Sequence, residues 1–268
     1  AQESRGLGDV YKRQLLSRSE IAMYAAKRQL SGALQYDAAF DSSSAQTLSL
    51  LTELRHAVEH HELRLYLQPK VPLHGQPGLA AEALVRWQHP HRGLVPPMQF
   101  IPFAEQTGFV RHLTLWMFEE VARLLADPRT QGLPLRVSVN LSTRDLLDPE
   151  LSHRLADILV RHGVPASAFC LEITESAIMD DPQRAEAMLN RLSEQGFKLS
   201  IDDFGTGYSS LAYLKRLPVD ELKIDKSFVM GMETGEDDAM IVRSTIDLAH
   251  NLGPVSYTHL RAHETPEH

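Results

Sequence analysis

The chain has 268 residues, 43% of them hydrophobic, and its 27 basic and 35 acidic side chains give a net charge of −8. That acidity argues against a nucleic-acid polymer as partner, which needs a basic footprint, but leaves room for a small phosphate ligand whose charge is met locally by metal ions. No run of about 18 apolar residues occurs, so the sequence offers no membrane-spanning segment. The single cysteine, Cys170, excludes an internal disulfide framework and fits a reducing cytoplasm.

Residues 1–14 have no convincing period, and residues 254–268 break abruptly from the helical pattern before them; both are read as non-native segments. SRSEIAMYAAKRQL, residues 17–30, predicts a short amphipathic helix and residues 32–40 a strand, with a polar linker at 42–46. A helix is expected over 47–61, with Leu48, Leu51, Leu54 and Val58 along one side. Six strands follow: Leu63–Val71, Gly78–Trp87, Leu135–Leu141, Phe169–Ser176, Lys198–Gly205 and Glu221–Phe228. The turn His74–Gly78 makes the first two an antiparallel pair. The others alternate with amphipathic stretches at 99–126, 143–162, 181–195, 208–217 and 237–252. That order predicts an α/β chain forming a (β/α)8 TIM-like barrel with an antiparallel first strand, incomplete here at about six strands, or an open parallel sheet.

Polar residues recur where these strands end. Glu82, Asn140, Glu172, Asp202 with Asp203, and Lys223 with Asp225 each follow a β-branched or aliphatic run. Period two puts Ser138 with Asn140, Ser200 with Asp202, and Lys223 with Asp225 on one face, opposite aliphatic neighbours. One such acid alone would be an ordinary surface carboxylate; oxygen ligands delivered from the ends of successive strands predict a metal site. Two carboxylates about 4 Å apart repel by about 4 kcal/mol at an effective dielectric of 20, so the cluster needs a cation. The donors are all oxygens, which favours Mg²⁺ or Mn²⁺ over Zn²⁺. His56 and His60 lie four apart on a helix without a third ligand, and Cys170 reads as a small buried residue. An enolase-type barrel, with a lysine base beside Mg²⁺, also fits acidic strand ends, although the consecutive Asp202–Asp203 pair suits phosphodiester hydrolysis better.

LYLQPKV, EALVRW, SVNLS, LEITES, IDDFGTGYSSL and LKIDKSF, in this order, resemble the EAL-domain family of cyclic di-GMP phosphodiesterases over residues 47–253. Residues 15–41 resemble the end of a GGDEF domain, implying a fragment of a tandem protein. The resemblance implies hydrolysis of cyclic di-GMP to linear pGpG with two divalent cations, Mg²⁺ or Mn²⁺. It makes Glu82, Asn140, Glu172, Asp202 and Asp203 metal ligands, with Asp202 bridging, and Lys223 the group that orients water or stabilises charge. Arg86 and Gln68 become substrate contacts and Glu175 the anchor of the DFGTGYSSL loop. It also allows a homodimer through the barrel. The family's EGVE and QG motifs are missing, and His259 stands where a metal-binding glutamate is expected. One cation at best, impaired turnover, or a catalytically inactive cyclic di-GMP-binding module are the corresponding expectations.

Overall fold

The computed structural model describes residue 35 and residues 50–72, 78–130, 132–205, 211–232 and 236–252. The expected helix at 17–30, the strand at 32–40, the linker, the tail after 253 and His259 lie outside these residues. The chain divides into two units, residues 1–60 and 61–268. In the first, residues 50–59 form a helix, α1, within the expected 47–61.

The second unit is a sheet with helices. Its strands are β1 (Leu63–Lys70), β2 (Leu79–His89), β3 (Gly93–Val95), β4 (Leu135–Leu141), β5 (Phe169–Thr174), β6 (Lys198–Phe204) and β7 (Glu221–Ile224). They pair in the order β1-β2-β4-β5-β6-β7, with the short β3 attached to β2. β1 runs antiparallel to β2, and every later pair along that path is parallel. Among the described residues the sheet does not close on itself, so the expected barrel is seen as an open arc of parallel strands.

Helices α2 (Pro97–Thr107) and α3 (Val110–Ala126) replace the single helix expected over 99–126. Gly108 separates them by taking φ 77°, a left-handed conformation that glycine adopts without a Cβ clash. The stretch 143–162 likewise splits into α4 (Thr143–Leu146) and α5 (Leu151–His162). α6 (Glu175–Asp180) and α7 (Pro182–Glu194) follow β5, with Asp181 capping α7 and Pro182 at its first turn. The chain continues through α8 (Leu211–Leu214), α9 (Lys226–Gly231) and α10 (Glu236–Leu252).

The last expected strand is too long by half. It ends at Ile224, because the Asp225 carboxylate accepts from the Ser227 amide at 2.8 Å and starts α9. An Asp two residues before Ser competes with the ladder for the backbone, and the cap wins. Asp225 therefore leaves the strand face that it was expected to share with Lys223.

The two faces of the sheet differ as the alternation requires. Val137, Val139, Leu141, Leu171, Ile173, Leu199, Ile201 and Leu222 turn outward and join one core with the helices. α3 supplies Met117, Phe118, Val121 and Ala122 at helical spacing, and Phe118 stacks on Phe169 with centroids 5.1 Å apart. Phe100 and Trp87 are fully buried, and the Trp87 Nε1 donates to Glu62 at 3.0 Å, so both are packing residues. The opposite face gathers Glu82, Ser138, Cys170, Glu172, Ser200, Asp202, Glu221 and Lys223, all nearly inaccessible.

Candidate active site

Parallel register brings the polar residues level with one another. Glu82 pairs with Ser138, Asn140 with Glu172, and Thr174 with Asp202. Glu82, Glu172 and Asp202 then converge on one ammonium. Lys223 Nζ donates to Glu172 Oε2 at 2.5 Å, to Asp202 Oδ2 at 2.9 Å and to Glu82 Oε2 at 3.4 Å. Asn140 Nδ2 donates to Glu82 Oε1 at 3.0 Å. Thus five of the expected residues, Glu82, Asn140, Glu172, Asp202 and Lys223, form one constellation.

The remaining expected residues surround it. Gln68 lies directly opposite Glu82 in the antiparallel ladder and shares its face. Arg86, four residues further along β2, sets its guanidinium 5.8 Å from the centre of the Tyr66 ring. Asp203 sits at an irregularity between Ile201 and Phe204, with φ 54°. Its amide donates to Asp202 Oδ1 at 2.9 Å, while its side chain hydrogen-bonds with Asp225. Glu175 Oε2 accepts from the Gly205 amide at 3.0 Å, which ties the start of α6 to the segment leaving β6. Residues 206–210 of the expected loop lie outside the described residues.

A sixth participant was not anticipated. Lys70 Nζ donates to Glu172 Oε1 at 2.6 Å and also to Ser138 Oγ. Its signal was present in the sequence: Arg64, Tyr66, Gln68 and Lys70 alternate with Leu63, Leu65, Leu67 and Pro69, so Lys70 is in phase with Gln68. Beneath it, Glu221 accepts from Arg136 at 2.6 Å and from the Cys170 thiol at 3.7 Å. Burial and the two neighbouring carboxylates Glu221 and Glu172 push that thiol up, so it is not a nucleophile.

Charge explains how so polar a cluster stays buried. Burial opposes the charge on Glu172, but Lys223 and then Lys70 outweigh it and hold the carboxyl down from 4.5 to about 2. Burial likewise opposes the ammonium of Lys223, and Glu172, Asp202 and Glu82 reverse the effect and push it up. Lys223 is therefore a cation at neutral pH, suited to donate to negative charge and unsuited to abstract a proton.

The depressed carboxyl has a consequence for acid stability. A group held below its unfolded value stabilises the fold above that value, and the contribution disappears as pH falls through the folded one. For Glu172 the window runs from 4.5 down to about 2, with a contribution on the order of 3 kcal/mol. Melting temperatures are expected to fall across that window, and Glu172→Gln to flatten this part of the profile. An unchanged slope in the variant would contradict the assignment.

The donors are of the oxygen type that hard divalent cations take: three carboxylates meet at one cationic centre, which Lys223 Nζ provides, with no sulfur or imidazole among them. Among the described residues no group of three such side chains is already arranged to hold a metal ion.

Comparison with known proteins agrees with the motif pattern. Residues 51–255 match the family described as EAL domain. The bifunctional diguanylate cyclase/cyclic di-GMP phosphodiesterase MucR of Pseudomonas aeruginosa is 39% identical over 243 residues, covering 90% of this chain and 36% of the relative. The cyclic di-GMP phosphodiesterase PdeR of Escherichia coli is 35% identical over 239 residues, covering 89% of this chain and 36% of the relative. The chain thus spans about a third of the length of these relatives. A solved structure of the PaMucR phosphodiesterase in complex with c-di-GMP superposes with a TM-score of 0.73 at 40% identity, covering 78% of this chain and 85% of that one.

Proposed function

The chain belongs to the EAL domain family, and from that membership we propose that it hydrolyses one phosphodiester bond of cyclic di-GMP to give linear pGpG. The observation that carries this reading is the convergence of Glu82, Glu172 and Asp202 on one buried cationic centre. A cyclic dinucleotide presents two phosphodiesters, and a site of gathered carboxylates must recruit a cation before it can accept either.

Glu82, Asn140, Glu172 and Asp202 would hold that cation, and Asp203, beside Asp202, would serve a second. Mg²⁺ or Mn²⁺ bound there would supply Lewis acidity toward the phosphoryl group and toward a water. The protein's own groups do the rest. Lys223, kept protonated by three carboxylates, donates to negative charge as it develops on the phosphoryl oxygens. Arg86 presents a guanidinium at the rim, where it can take the other phosphate, and Gln68 offers an amide level with Glu82. Lys223 donates to three carboxylates, which suits charge stabilisation better than the enolase-type reading, in which that lysine would have to remove a proton from carbon.

A second reading, a module that binds cyclic di-GMP without turnover, is favoured by the Lys223 ammonium standing where the three carboxylates meet. One assay separates the two. The protein is incubated with cyclic di-GMP and Mn²⁺, products are resolved by chromatography, and binding is followed by calorimetry. Accumulation of pGpG is the expected result. Binding without pGpG would give the site to the second reading, and neither binding nor turnover would refute both. Among the described residues no helix is long and apolar enough to cross a membrane. A cytoplasmic site of action, where the dinucleotide would be met, and a homodimer through the barrel are parts of the proposal.

A further inference from the structure

Each of the three converging carboxylates has one oxygen on a donor outside the centre and the other on Lys223 Nζ. Glu82 gives Oε1 to Asn140 at 3.0 Å and Oε2 to Lys223. Asp202 gives Oδ1 to the Asp203 amide at 2.9 Å and Oδ2 to Lys223. Glu172 gives Oε1 to Lys70 at 2.6 Å and Oε2 to Lys223.

We propose that Lys70 is a positioning residue that restricts Glu172 to one-oxygen coordination and so sets the preference of this site for small octahedral cations over Ca²⁺. The inference rests on the metal-binding reading above.

Topology explains how a lysine reaches that position. β1 is antiparallel to β2, so its last residue, Lys70, lies opposite Ala80, near the beginning of β2 and level with Arg136 of β4. The side chain therefore approaches Glu172 from the floor of the site, whereas Lys223 meets the other oxygen. Its ammonium is held at two points, by Ser138 and by Glu172, and its side chain is only 9% exposed. An ammonium so placed takes a lone pair of Oε1 and sets positive charge where a cation chelated by both oxygens would have to approach.

Denticity matters because the cations differ in what they require. Ca²⁺ takes six to eight oxygens and accepts both oxygens of one carboxylate, while Mg²⁺ keeps a compact octahedron of single oxygens and waters. Mn²⁺ likewise suits octahedral oxygen sites. Removing the Lys70 charge strengthens attraction for every divalent cation alike, since all carry the same charge. The ratio of affinities between two such cations therefore isolates the coordination mode from the electrostatics.

Calorimetric titration of Mn²⁺ and Ca²⁺ into the full chain and its variants tests the proposal without any turnover. In Lys70→Met both cations are expected to bind more tightly, and the Ca²⁺ to Mn²⁺ dissociation-constant ratio to fall by about tenfold. Lys70→Gln, which loses the charge but keeps an N–H for Glu172, is expected to hold the ratio within about twofold of the unmutated chain. A ratio unchanged in Lys70→Met, or loss of metal binding by a folded Lys70→Met, would overturn the proposal. If Lys70→Met does not fold, Lys70→Gln decides alone: a preserved ratio supports the role, and a collapsed ratio sinks it. An unmutated chain that binds neither cation would refute the metal reading itself.

Discussion

Lys223→Met is expected to lower the melting temperature of the metal-free protein by about 10 °C, and Mn²⁺ to raise it more in the variant than in the unmutated chain. Three buried carboxylates lie within 3.4 Å of the ammonium, and its side chain is 3% exposed. Removing one partner of such a group leaves uncompensated buried charge, which costs about 3–5 kcal/mol, or a few degrees per kcal/mol for a protein of this size. Glu172 keeps Lys70, so the loss falls mainly on Glu82 and Asp202. A divalent cation at the same centre replaces the missing charge, and linkage converts that binding into stability. In the proposed hydrolysis the variant is expected to lose kcat by about a hundredfold or more with KM little changed, because the ammonium acts on charge that exists only in the transition state. Melts with and without Mn²⁺, beside steady-state kinetics, check both halves. A loss confined to KM would make Lys223 a substrate anchor.

Much of this site was legible because a strand with one buried apolar face must alternate. SVNL and LEIT each place an oxygen-bearing side chain between two aliphatic ones, LSID alternates likewise up to Asp202, and the structure puts those aliphatics in the core and Asn140, Glu172 and Asp202 in the constellation. The antiparallel β1–β2 pair was legible from its short turn-rich connection. Three features were not, each for a physical reason. Lys70 lies inside the expected strand Leu63–Val71, but a lysine is no oxygen donor, and alternation does not say which carboxylate it meets two strands away. The backbone at Asp203 was not foreseen: strict alternation does not encode the irregular register beside it or its φ of 54°, which accompany a side-chain hydrogen bond with Asp225. The early end of β7 depends on competition between a cap and a ladder, which alternation does not encode. Glu175, by contrast, was named as a loop anchor, and its bond to the Gly205 amide gives that role a geometry: Gly205 takes φ 99°, and a Cβ there would lie 3.1 Å from the Phe228 ring.

Glu82→Ala separates chemistry from stability more sharply than any other single change here. Glu82, Glu172 and Asp202 share the ammoniums of Lys223 and Lys70, so deleting one carboxylate relieves repulsion as well as removing an attraction. The Glu82–Lys223 contact is also the longest of the three, at 3.4 Å. The exposed Asn140 amide that loses its partner is free to turn to water. The melting temperature of the metal-free variant is therefore expected to stay within a few degrees of the unmutated protein, a net change of about 1 kcal/mol or less. Function should respond differently. One of three converging oxygens disappears, so Mn²⁺ affinity is expected to fall by about tenfold or more and cyclic di-GMP hydrolysis by at least about a hundredfold. Dinucleotide binding should persist, since Arg86 and Gln68 are untouched. Calorimetry, melting curves and product chromatography on the one variant distinguish the alternatives. A large drop in melting temperature with Mn²⁺ binding intact would make Glu82 a structural ion-pair partner and remove it from the proposed metal site.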